Sequence, residues 1–186
     1  DKTSLIELLV KVEYNHGILN GVVKAFNKEE IQKIELEALL NEAVNTSLIE
    51  GEYLQRESVR ASLLKKLSEK YDIKKDSSTH QSDALAEVLI DCSVNRTPLS
   101  VERLHGWHNS LFISGYSGLH KIKVAGFREH DDMEVVSGAI GREKVHYKAP
   151  PQDLIESDVN ALLKWIVVSD ENIYIKSALA HLWFVS

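Results

Sequence analysis

Scarce proline and recurrent helical spacing set the strongest limit on what this chain can fold into. Only three prolines interrupt 186 residues, and proline is the residue that breaks helix interiors, through its missing N–H and its ring. Apolar residues fall on helical faces along most of the length. Leu5, Leu8, Leu9 and Val12 mark a first stripe. Ile31, Ile34, Leu39, Leu40 and Ala43 mark a second, leading into Thr46–Glu50. Val59, Leu63, Leu64 and Leu67 mark a third, with Ser58 near its start. Residues 72–80 are polar and read as a linker or loop, and helical spacing resumes from Ala84 to Val94. After the break at Thr97-Pro98-Leu99, Ser100 is an N-cap for a helix through Phe112. Val159, Leu162, Leu163 and Ile166 repeat at helical intervals, and a last helix runs from about Tyr174 with Ala178, Leu179, Leu182 and Trp183 apolar.

Two segments break this pattern. Ile113–Leu119 contains Gly115 and Gly118 and reads as a loop. Residues 133–148 hold two β-prone runs, MEVVSG and REKVHYK, joined through Gly138-Ala-Ile-Gly141, which predicts a hairpin closed by Pro150-Pro151. The fold class is therefore all-α with one β-hairpin.

Composition narrows the partners. Hydrophobic residues make up 44% and charged residues 27%, ordinary values for a globular domain with a helical extension. A net charge of −6 gives no support for broad nucleic-acid or anionic-membrane binding. No apolar run approaches the ~20 residues that span a bilayer. The single cysteine, Cys92, excludes an internal disulfide and suits a reducing cytoplasm. Its neighbours Val88, Leu89 and Ile90 make it a small core residue rather than a reactive thiol.

The residues richest in chemistry are Thr46-Ser-Leu-Ile-Glu-Gly51. Thr46 and Glu50 are one helical turn apart on one face, and Gly51 is the residue type found just past a helix end. Glu50 then sits where the helix dipole disfavours a carboxylate by roughly 0.3–1 kcal/mol. Such a local conflict marks a functional candidate, although a solvated helix end fits the same pattern.

This run resembles the inhibitory-helix signature S/T-x-x-x-E-G of Fic/Doc proteins, which move AMP from ATP onto protein hydroxyls. TSLIEGEYL followed by VRAS is similar to the class whose inhibitory helix precedes the Fic core. Further segments resemble the family in order. WHNSLF with GYSGLHKIKVAGFR matches the early core, MEVVSGAIGREKVHYKAPP the hairpin called the flap, and SALAHLWFVS the helix before the catalytic loop. The resemblance covers about residues 16–186. The motif H-x-F-x-[DE]-G-N-G-R is not among these residues and is expected just beyond Ser186, so the chain reads as part of a longer protein.

The resemblance implies a Fic-like helical bundle with one flap and an N-terminal helical extension. Residues 1–80 would be the extension carrying the inhibitory helix, and 81–186 the first part of the core. It implies ATP and Mg²⁺ as cofactors, a protein target with a Ser, Thr or Tyr hydroxyl, and a homodimer. Glu50, with Thr46 and Gly51, would act at the ATP site by pairing with the last arginine of the expected motif, in competition with the γ-phosphate. Met133, Val135, Val136, Ser137 and Gly138 would hold the target as an added strand. From the residues alone, the hairpin is as well read as structural. These 186 residues by themselves would transfer no AMP. The rival is a non-catalytic regulatory or antitoxin-like helical binding module.

Other candidates read as structural. His181 sits among apolar neighbours as a hydrogen-bonded core histidine. His105 and His108 lie three apart without an evident third metal ligand. Trp107, Phe112, Trp165 and Trp183 read as core, and no G-x-x-x-x-G-K-[ST] loop occurs.

Overall fold

The structure, a computed structural model, describes residues 2–49, 51–67, 77–117, 119–130, 133–139 and 141–185. They form seven helices and two short antiparallel ribbons, the all-α class with a β-hairpin that the periodicity predicts. The chain divides into two compact units, Asp1–Asn95 and Arg96–Ser186.

The first unit contains α1 (Lys2–Val23), α2 (Lys28–Ile49), α3 (Arg56–Leu67) and α4 (His80–Val94). Its core is the meeting of the last three. Leu40, Ala43, Val59, Leu63 and Ala86 are buried together, flanked by Leu36, Leu39, Leu54, Leu85 and Leu89. Asn27 starts α2 with a capping box: its side chain accepts from the N–H groups of Glu29 and Glu30, and the Glu30 carboxylate accepts from its own N–H. Thr79 does the same for α4 with Ser82 as reciprocal partner. That cap starts the helix at His80 rather than Ala84. Of the expected 72–80 linker, residues 72–76 lie outside the described residues. Ser82 also receives the buried Ser62 hydroxyl at 2.9 Å, joining α3 to α4. Thus α4 packs with α2 and α3, and this compact unit runs to Asn95.

One expectation is corrected here, and one apolar stripe stays uncovered. The face of α4 turned to α2 and α3 carries Ser82, Leu85, Ala86, Leu89 and Ile90; Cys92, one turn past Leu89 near the end of the helix, is not part of that cluster and is exposed. The stripe on α1 is present, but α1 packs extensively on no other described element. Leu5, Leu8 and Val12 are consequently exposed.

The second unit contains α5 (Val101–Leu111), β1 (Tyr116–Ser117), β2 (His120–Lys121), β3 (Glu134–Ser137), β4 (Lys144–Lys148), α6 (Gln152–Val168) and α7 (Ile173–Val185). Ser100 caps α5 by accepting from the Arg103 N–H, as the sequence predicts. The segment read as a loop after Phe112 holds the two-residue β1–β2 ribbon, with Tyr116 opposite Lys121. Helices α6 and α7 pack through Trp165 and Trp183, whose rings lie 6.0 Å apart. Leu162 and Leu163 are buried on α6, whereas His181 and Trp183 are exposed rather than core, because α7 packs extensively only on α6 among the described elements.

Candidate functional site

The turn after α2 is built from backbone geometry. Gly51 has φ +82°, the left-handed region that glycine enters without a side-chain penalty. Its N–H donates to the Leu48 carbonyl at 3.1 Å, and the Glu52 N–H donates to the Ser47 carbonyl at 2.8 Å. This pair of bonds is the Schellman closure of a helix, with Gly51 just past the end. Space around the Gly51 Cα is open. Thr46 is exposed on the last turns of α2 and donates its hydroxyl to Glu42 at 3.0 Å. Glu50 lies outside the described residues.

A group that motif reading passes over holds this turn. Glu37 on α2 accepts from Arg56 at 2.8 Å and from Arg60, while Arg56 also donates to Asn41 at 2.8 Å. The start of α3 is thereby tied to α2 about four turns before Gly51, which limits how the connecting turn can swing. The hydrogen bond from the Arg60 guanidinium, aided by Arg56, holds the Glu37 carboxyl below its ordinary value of 4.5. The sequence holds all three residues, but pairing across two helices is invisible until their packing is known.

The hairpin stands where the sequence places it. β3 and β4 pair antiparallel with Val135 opposite Tyr147 and Val136 opposite Val145, and a bulge at His146 separates the two pairs. Gly138 has φ +115°, and a Cβ there would meet the Arg142 carbonyl oxygen at 2.8 Å. Glu143 accepts from the Gly141 N–H at 2.7 Å, which lowers its carboxyl pKa. Ser137 shares a 2.6 Å hydrogen bond with His146 Nε2 across the ribbon. Among the described residues no third strand pairs with β3 or β4. Met133, Val135, Val136, Val145 and Tyr147 are all exposed.

One face of this ribbon roofs a cavity of about 420 Å³. Met133, Val135 and Tyr147 line it from the ribbon, Val159 and Leu162 from α6, and Trp183 from α7. Val136 and Val145 belong to the opposite face. Glu134, Asp158 and Arg128 are the charged lining residues. Arg128 donates to the carbonyl oxygens of His130 and Pro150.

These residues do not fit ATP and Mg²⁺ by themselves. The lining is mainly apolar, its guanidinium is engaged with carbonyls, and the Asp158 carboxylate would repel a triphosphate. No group of three His, Cys, Asp or Glu side chains is close enough together to hold a metal among the described residues. His108 Nδ1 accepts from the Ala125 N–H at 3.2 Å, and the His105 ring packs edge-on against Phe127 at 4.9 Å. The His105 Nε2 atom is buried without a hydrogen-bond partner.

No helix among the described residues is long and apolar enough to cross a membrane. No curated protein matches the chain. Residues 1–68, from α1 through the Gly51 turn and α3, match a family described as a domain of unknown function, DUF4172.

Proposed function

We propose that this chain is the regulatory and target-docking part of a Fic-type protein adenylyltransferase acting in the cytoplasm, with Glu50 as its brake. The observation that carries the reading is the end of α2. The motif S/T-x-x-x-E-G needs a helix that stops at a glycine, and Thr46 lies on α2 while Gly51 closes it in the left-handed region. The order of the segments resembling the Fic core, with an exposed two-stranded hairpin among them, supports the same reading. ATP and Mg²⁺ enter this reading through the resemblance alone, since the cavity lining does not fit them by itself. The part played by this chain's own residues is to set the Glu50 turn, through the Glu37–Arg56–Arg60 clamp, and to present a hairpin edge to the target.

The test uses the complete protein. Glu50→Gly is expected to raise AMP transfer to protein, including self-modification, and Glu50→Asp to raise it less. The measure is labelled AMP incorporated per molecule. Equal rates for wild type and Glu50→Gly, with both folded and binding ATP, eliminate Glu50 as the brake. A complete protein that transfers no AMP in either form leaves the non-catalytic binding module as the better account.

A further inference from the structure

The cavity under the hairpin is not needed to close the ribbon, and its chemistry describes what should enter it. We infer that it is an anchor pocket for one large apolar side chain of an extended peptide that adds to the outer edge of β3, with a basic residue two positions away. For what happens to the bound peptide, this rests on the docking half of the proposal above.

Three observations converge. The first is the edge. β3 is paired on one side only among the described residues, and an unpaired strand edge is a row of N–H and C=O groups that another chain can complete. The second is phase. Side chains alternate between faces of a strand, so every second residue of an added strand shares the face of Met133, Val135 and Tyr147. That face opens on the cavity. At about 420 Å³, the space is near the small end of ligand pockets, which run from roughly 300 to 1,000 Å³. It suits a large side chain against Leu162 and Trp183.

The third is charge. Two acidic residues, Glu134 and Asp158, border the cavity against one guanidinium that is committed to the His130 and Pro150 carbonyls, and strand alternation puts the Glu134 side chain on the face of Val136. Glu134 has Lys148 at 3.7 Å, which leaves Asp158 as the better partner for an incoming cation. An acidic residue beside the anchor would meet like charge.

The experiment measures binding directly, with the complete protein and fluorescein-labelled nonapeptides of sequence Thr-Thr-Lys-Thr-Phe-Thr-Lys-Thr-Thr. Replacing the central Phe by Ala keeps the charge and should weaken binding about tenfold or more. Replacing both lysines by glutamates should weaken it further, and Asp158→Asn should narrow the gap between those two peptides. Met133→Glu changes an exposed lining residue and should abolish the preference for Phe. Val145→Glu, on the opposite face, should leave it intact. Thermal unfolding confirms that each variant is folded. Equal affinity for the Phe and Ala peptides, or an unchanged preference in folded Met133→Glu, overturns the pocket. Preference for Phe in a protein whose Glu50→Gly form transfers no AMP upholds the pocket and removes the adenylyltransferase reading. AMP transfer without the preference does the reverse.

Discussion

Two glycines carry conformations that other residues hold poorly, and they differ in an instructive way. Gly51, at φ +82°, has open space where a side-chain methyl would sit, so Gly51→Ala adds backbone strain alone. About 1 kcal/mol of stability should be lost, and Gly51→Asn should lose less because asparagine tolerates this region better. Gly138 combines φ +115° with a backbone oxygen at 2.8 Å from the methyl position. Gly138→Ala should therefore cost more and disturb the hairpin, seen as faster amide exchange at residues 134–137. Thermal unfolding of the three variants checks the ranking. Both glycines are legible in the sequence, one as a helix stop and one as a turn. The Thr79 cap is not, because its reciprocal partner is Ser82 rather than the more familiar Glu or Gln.

Helices and strands add effects that single residues do not show. The Glu37 clamp ties α2 to α3 with side chains that are more than two-fifths exposed, so salt should screen it. Its carboxyl pKa lies below the ordinary 4.5. The clamp's contribution is thus complete above that ordinary value and is lost as pH falls through the lower folded value. Glu37→Gln should lower Tm modestly at pH 7 in low salt. The difference from wild type should shrink in 1 M salt and below about pH 4. For the hairpin, Val136→Pro removes one N–H and fixes φ, whereas Val136→Thr keeps the backbone. In a Glu50→Gly background, the proline form should modify its target more slowly than the threonine form if β3's edge is used. Equal rates in two folded proteins would make the hairpin structural. Periodicity predicts these elements well, since spacing is a local property. It does not say which apolar stripe finds a partner: the stripe on α2 buries Leu40 to 0% exposure, while that on α1 leaves Leu8 at 58%.

At the scale of the whole molecule, stability in the first unit rests on few residues. Leu40, Val59 and Leu63 are fully buried together, so Leu40→Ala or Leu63→Ala should cost about 2–5 kcal/mol, measured by denaturant unfolding. Nothing in the linear pattern signals that α4 completes this core, because the decisive contacts are small: Ala86 and the Ser62–Ser82 hydrogen bond. Cys92 and His181 depart from expectation for a related reason: both are exposed near helix ends where the apolar residues beside them, Val94 on α4 and Leu182 and Phe184 on α7, are exposed as well. Helix α1 carries the opposite consequence. Because it packs extensively on none of the other described elements, deleting residues 2–23 should leave the unfolding of the Leu40 core where it is. Any activity the complete protein loses with that deletion then cannot be blamed on a weakened fold. It would report a contact made by α1 with something outside this core, which makes a thermally silent truncation the cleanest way to find one.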